Sequence, residues 1–522
     1  MARFKRKRSS KIKSIGRYGL SVLQWIVLSV IPARMAAIAF IGEDSSGWFI
    51  AMIGASLLGI GLTRLFQMRE EQVLLLQYQH LLGFLSTRLS AGVPLEAAFI
   101  EAVEPLTEQL GRQNLIVRSL VKLRKNLDAQ MSLNESLLLF IREVNLPVCR
   151  RDFTMLIMLS RTGGRTDIFV RQSHLDLSAQ INTQSEVAHE RRGQSSEALI
   201  LALTPFLMAH FILGGASAYG GALKEDHAMA LPLSILYLLA VAALFILIYL
   251  LAPEKTTAKT NRRKLPRKQN EKTLKDTKMI TWLSRLYLDW LPGQIGMSVS
   301  SSVLQLALKQ EDAWKLYLQK KTKDIGWGLL LAVILAVSGR VSWFIVVLAP
   351  LFFSTVRDVD ICQKASRQKN QYRFFYPSAI NSLHILMESG LTLDRSLRMV
   401  AHVSALDTHA DNPVSRALSQ SALLLESGYD SVMAVSALAE RCPLPEIQAA
   451  LRLMARYERE GGIEILELIR MQSERSRQLY RDALRGKAEQ RSLLFVIPMA
   501  IDLVVVMATV ILPAVIGMRF NF

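Results

Sequence analysis

The chain repeats itself at a fixed offset. Gly163-Gly164 and Gly461-Gly462 lie 298 positions apart, as do Leu146-Pro147 and Leu444-Pro445, and as do Ala91-Gly92-Val93-Pro94-Leu95 and Ser389-Gly390-Leu391-Thr392-Leu393. Three separate landmarks that keep one spacing point to a tandem duplication of a unit of about 125 residues. A fourth pair, Arg192-Gly193 with Pro205 against Arg485-Gly486 with Pro498, sits at offset 293 and implies a five-residue length difference in the last helix of each unit. Each unit is polar enough to be soluble and runs directly into an apolar segment. The chain must therefore fold as two related domains, each tied to membrane helices.

Composition agrees. Apolar residues make up 51% of the chain and mean hydropathy is +0.24, yet 20% of residues are charged, so apolar and polar stretches are segregated along it. The formal charge of +19 is localised as well. Residues 1–19 carry eight Lys or Arg and no acid, and residues 253–278 carry ten basic residues against three acidic ones. Neither stretch interleaves aromatics with its basic residues, and both abut apolar spans, which argues against nucleic acid and for anionic lipid headgroups as the partner. Cys149, Cys362 and Cys442 are far apart in sequence, form no C-x-x-C pair, and read as buried or half-buried reduced thiols of a cytosolic compartment.

A straight spanning helix needs about 20 apolar residues. Residues 198–221 and 231–252 meet that length, as do 45–63, closed by Arg64, and 492–518, interrupted by Asp502. Residues 18–42 hold one charge, Arg34 after Pro32, and read either as one kinked span or as a shorter buried segment. The basic start resembles a signal peptide, but the spans that follow favour a retained anchor. Residues 325–356 hold only Arg340, too long for one helix and slightly short for two. The repeat decides for a hairpin, because two cytosolic domains require an even number of crossings between them. Lys321 and Lys323 before it and Arg357 after it agree. Seven spans with a cytosolic N-terminus result, and the short outside loops at Glu43-Asp44 and Glu225-Asp226 lean acidic.

Within the first unit, six helices are expected at roughly 71–90, 94–105, 108–128, 132–144, 147–161 and 165–197. Ser132-Leu133-Asn134-Glu135 is a capping-box pattern, Asn412-Pro413 offers an N-cap before a first-turn proline, and Gly92 and Gly390 stand where a helix ends. The double glycines end one helix and precede a long polar one that runs toward the membrane. Gly163, Gly164, Gly461 and Gly462 are read as a tight turn, with a flexible joint as the functional alternative. The fold class is all-α: a polytopic membrane protein with two tandem cytosolic helical bundles. Its parts are a basic N-terminus at 1–19, two transmembrane helices in 20–66, the first bundle at 67–197 and two more helices in 198–252. A basic linker with an amphipathic segment at 253–324 follows, then the hairpin at 325–356, the second bundle at 357–491 and a final helix at 492–518.

In this order and spacing the motifs resemble the F domain of type II secretion and type IV pilus systems. The first half is similar to a TadB-like platform protein of Flp-type (tight adherence) pilus assembly and the second to its TadC-like partner, which is usually a separate chain. The resemblance implies a non-enzymatic plasma (inner) membrane platform that couples a hexameric secretion ATPase to pilin-like subunits and works with other platform copies as an oligomer. It implies no catalytic residue, cofactor or metal. The sequence holds no G-x-x-x-x-G-K-[ST], H-E-x-x-H or G-x-S-x-G motif.

Two other classes stay open. A secondary transporter built on a duplicated membrane unit would mark itself by ionisable residues inside spans. Arg34, His210 and Asp502 are the candidate intramembrane polar contacts. Asp502 could pair with Arg34, anchor a helix contact, or meet the charged N-terminus of an incoming pilin. A membrane-tethered scaffold is the other class. The stretch 279–300, with Trp282, Tyr287 and Trp290, suits a helix at headgroup level or ordinary packing on the second domain.

Overall fold

The computed structural model describes residues 2–41, 46–215, 227–251, 295–306, 313–337, 343–406 and 412–519, and every regular element among them is an α-helix. The acidic loops at 43–44 and 225–226, the linker 253–278, most of the segment 279–300 and Arg340 lie outside the described residues. The helices are α1 (Ala2–Ile41), α2 (Ser46–Ser90), α3 (Leu95–Glu101), α4 (Val103–Leu110), α5 (Leu115–Asp128), α6 (Leu133–Val144), α7 (Pro147–Thr162), α8 (Thr166–Gly215) and α9 (His227–Leu251). They continue as α10 (Ile295–Leu306), α11 (Ala313–Val337), α12 (Trp343–Glu388), α13 (Leu393–Leu406), α14 (Pro413–Glu426), α15 (Ser431–Arg441), α16 (Pro445–Glu460), α17 (Ile463–Leu494) and α18 (Val496–Arg519).

Local chemistry sets the boundaries. Ser132 Oγ accepts from the Glu135 amide at 3.3 Å and Asn412 Oδ1 from the Ser415 amide at 2.6 Å, so both expected N-caps form. The expected helix at 94–105 breaks at Ala102, and the one placed at 108–128 begins only at Leu115. Gly111, at φ +85°, ends α4, and the side chain of Asn114 caps the new helix at the Ile116 amide. The length difference in the last helix of each half has a local counterpart. α8 runs unbroken through Pro205 to Gly215, whereas the second copy breaks at Phe495, three residues before Pro498.

Packing divides the chain into two compact units: Met1–Cys149 with Ser173–Thr256 and Leu484–Phe522, and Arg150–Gln172 with Thr257–Ala483. The segment Arg150–Gln172 lies within the expected first bundle, 67–197, yet it belongs to the unit that holds most of 357–491.

In the first unit, α1, α2, α9 and α18 pack into an apolar bundle around Phe40, Ala51, Leu233, Tyr237 and Val505. Close approach depends on small residues. A Cβ on Gly59 would meet the backbone of Ile26 at 2.7 Å, and the Ser29 hydroxyl donates across to the Ala55 carbonyl at 2.8 Å. The Tyr237 hydroxyl donates to the Ala33 carbonyl at 3.0 Å. Below this bundle α2 continues without a break into a helical layer with α3–α6. There the apolar stripe of α5, Ile116, Leu120, Leu123 and Leu127, recurs at helical spacing and is buried.

In the second unit α12–α16 pack neighbour on neighbour, with Leu397, Leu418, Val435, Leu438, Leu451 and Met454 in the core. α10, α11 and α12 enclose a separate cluster of Val299, Val303, Tyr317 and Leu318. Among the described residues, five helices are long and apolar enough to cross a membrane: Val22–Ile41, Gly47–Ser90, Ser195–Ile212, Leu231–Leu251 and Ile463–Ile511. They coincide with five of the seven expected spans. The arms of the expected hairpin do not reach that length among the described residues, and its tip lies outside them.

Candidate functional site

The two double-glycine turns have the same sequence context and different surroundings. Gly163 has φ +78°, and the Gly164 amide closes back on the Leu159 carbonyl at 3.2 Å, which ends α7 in the manner of a Schellman turn. The next amide, Arg165, donates to the carbonyl of Ser389 at 3.0 Å, so the turn is docked on the C-terminal end of α12. In the second half Gly461 and Gly462 have φ +67° and +98°, the Gly461 amide reaches the Tyr457 carbonyl at 2.8 Å, and a Cβ on either glycine would meet nothing. Gly163→Ala is expected to lower stability by about 1 kcal/mol through left-handed strain alone, since its Cβ would also point into open space. Gly164→Ala should cost more, because its Cβ would sit 2.3 Å from a methyl of buried Leu159. Thermal unfolding of the two variants in one detergent orders them, and a larger loss for Gly163→Ala would refute this account.

Around the docked turn, α12 carries a polar seam that the sequence did not announce. Arg151 donates to Ser378 Oγ at 2.6 Å, Gln172 Nε2 to Glu388 Oε1 at 3.0 Å, and Asn381 Oδ1 accepts from Ser473 at 2.9 Å and Arg477 at 3.2 Å. His384 is buried in the same stretch. Burial, reinforced by Arg477 and Arg470, pushes its pKa down to about 4, with Glu467 opposing; Glu388, 4.0 Å away, is too far to hold a proton on it. A depressed folded-state value means that the unfolded chain binds the proton first. His384 thus contributes stability that is complete above pH 6.5 and lost as pH falls toward 4, by about 3 kcal/mol in all. Melting curves between pH 7.5 and 4.5 should show a steeper decline for the parent than for His384→Gln, and parallel declines would remove His384 as the cause.

A second cluster joins α11 to α12. Lys321 Nζ lies 2.7 and 2.6 Å from the two carboxylate oxygens of Asp358, which also accepts from the Tyr317 hydroxyl, and Arg357 pairs with Asp324. Lys321 is fully buried; desolvation lowers its pKa although Asp358 pulls the other way. Desolvation and the Asp358 carboxylate both raise that of Tyr317. Because residues 321–324 meet 357–358, the intervening chain leaves and returns at one place. Lys321 and Arg357, read from sequence only as basic flanks, are structural ion-pair members.

The three intramembrane candidates are not brought together. The Arg34 guanidinium lies 4.9 Å above the Trp48 ring, His210 is exposed on α8, and Asp502 is buried on α18 with neither carboxylate oxygen accepting a hydrogen bond from a described residue. The expected alternative of an Asp502–Arg34 pair does not form. Cys149 and Cys442 are buried thiols outside any disulfide and Cys362 is half-buried; burial raises the pKa of Cys442 to about 12, which makes it unreactive.

Residues 379–513 match the family model described as Type II secretion system (T2SS), protein F. The matched segment runs from the buried part of α12 through the Gly461-Gly462 turn into α18 and includes Asp502. It supports the type II secretion F-domain resemblance for the second half. No curated protein and no solved structure matches the chain.

Proposed function

We propose that the chain is a plasma-membrane platform protein of a type II secretion-like or Flp-type pilus assembly machine, built from two F-type units in tandem. The observation that carries the reading is the family match over 379–513, to which the 298-residue offset relates the first half. The order of elements supports it. In both halves a long helix ends at a left-handed glycine, Gly92 or Gly390, and the last helices, α7–α8 and α16–α17, join at a double glycine. Between these landmarks α3–α4 answers to α13, α5 to α14 and α6 to α15.

In this reading both bundles and the N-terminus are cytosolic, and a hexameric ATPase supplies the work. The chain passes that work to pilin-like subunits in the membrane and has no catalytic residue of its own. α8, with 50 residues in one helix about 75 Å long, suits the passage of force from a bundle into a span. The TadB-like and TadC-like halves, fused, fix a one-to-one ratio.

The test is affinity purification of the tagged chain from membranes in mild detergent, with mass spectrometry of what accompanies it, for the full chain and for one lacking 357–491. A secretion-type ATPase and pilin-like proteins are expected, and the ATPase should be depleted by the deletion. Recovery of neither, together with saturable binding of a small solute, would replace the platform by a transporter.

A further inference from the structure

We propose that α11 and the start of α12 cross a locally thinned membrane, with lipid acyl chains covering their open faces and the hydrocarbon layer shortened beside them to about 20 Å. The inference rests on the reading of residues 325–356 as a membrane hairpin and is independent of the platform reading. Two ion pairs fix the base of that hairpin. Lys321 holds Asp358, and Arg357 lies 2.5 Å from Asp324, so the chain leaves one polar level after Asp324 and is back at it by Arg357.

Between those pairs each arm is short. Past Asp324, α11 continues to Val337, and α12 runs from Trp343 to the base at Arg357. At 1.5 Å per residue either arm rises about 20 Å, against a hydrocarbon core of about 30 Å. Other spans of the chain match the full layer: Val22–Ile41 has 20 residues and Leu231–Leu251 has 21, which makes each about 30 Å long. The base cannot sink to make up the difference, because Lys320 and Lys323 beside the ion pairs are exposed and stay at the headgroups. The bilayer is the softer partner, and it answers a short apolar segment by thinning.

The open face of the hairpin fits lipid. α11 packs on α12, and Lys321, Gly328 and Ala332 are buried at helical spacing, while Trp327, Leu329, Leu330 and Val333 are each more than half exposed. Those four spread over a wider arc than one neighbouring helix covers, and none is charged. Trp327 stands just past the base and Trp343 is the first residue of α12, at the far end. Tryptophan at both ends suits two headgroup levels, and this favours a full crossing over half-insertion from one face. In the platform reading, a subunit helix leaving the membrane beside this hairpin would clear about 10 Å less hydrocarbon.

The experiment uses the full-length chain with Cys362→Ser, reconstituted in dioleoyl phosphatidylcholine vesicles. One nitroxide at a time is placed at Gly326→Cys, Leu330→Cys, Val333→Cys or Ala336→Cys, all exposed on α11, with Leu239→Cys on α9 as the full-thickness reference. Leu329→Cys, exposed on the same arm, replaces any position whose variant does not purify as a single species. Power saturation with oxygen against a water-soluble nickel chelate reads the depth of each label. Depth should rise from Gly326, peak between Leu330 and Val333 at about 10 Å, and fall again at Ala336, while Leu239 reads about 15 Å. A depth still rising at Ala336 would mean half-insertion, a peak equal to that at Leu239 would mean an unthinned layer, and water exposure at all four positions would mean no insertion. Each of these overturns the proposal. All of them keep an even number of crossings between the two bundles, so the platform reading stands or falls separately, on its co-purification test.

Discussion

Lys321→Met is expected to destabilise the chain by about 3–5 kcal/mol, the range for removing one member of a buried ion pair. The size follows from where the partner is left. Asp358 is 15% exposed and receives both Lys321 contacts and the Tyr317 hydroxyl, so without the ammonium it remains a largely desolvated carboxylate that has lost its buried cation. Asp324 and Arg357 are paired with each other and offer no replacement cation. The double variant Lys321→Met with Asp358→Leu should recover most of the loss, because an apolar pair of similar volume removes both desolvation costs. Denaturant or thermal unfolding of the four species in one detergent gives the coupling energy directly. A single variant that costs less than about 1 kcal/mol would mean that the pair behaves as a solvated surface contact.

Asp502→Leu has the opposite expected sign, a gain of up to about 2.5–3.5 kcal/mol, which is the apparent cost of an aspartate at the centre of a spanning helix. The carboxylate is buried on α18, close in sequence to Val505, which packs with Tyr237 and Phe40, and its oxygens accept no hydrogen bond from a described residue. Leucine keeps the volume and removes the desolvated charge. Asp502→Asn should gain less, because an amide in the same place still wants partners. The readout is the melting temperature of purified protein, and a lower value for the leucine variant would show that Asp502 is held by a partner after all. Stability that rises while the proteins co-purified with the chain are lost would assign the carboxylate to a contact with another protein.

Much of the helix layout was legible because it is written locally. Ser132 and Asn412 cap where they were expected to, Gly92 and Gly390 take the left-handed conformation, and the apolar stripes of helices such as α5 point inward. Gly111 was the local signal passed over, and it accounts for the misplaced start of α5. The polar contacts were legible only as residue types. Nothing near Lys321 in sequence announces Asp358, and a basic residue beside a membrane span has a sufficient reason to be there without a partner. Asp502 and Arg34 are two charges in apolar sequence, and pattern alone cannot tell whether helices 468 residues apart place them together. The repeat identified the two turns as equivalent, but equivalence in sequence says nothing of which one finds a surface to rest on.

The assignment of Arg150–Gln172 to the second compact unit bears on how such a protein could arise from, or be divided into, separate genes. A cut in the basic linker would part the polypeptide without parting the molecule, since a helix encoded upstream is already built into the fold encoded downstream. The halves would then be expected to hold together through α7 and the start of α8, which pack with residues 257–483.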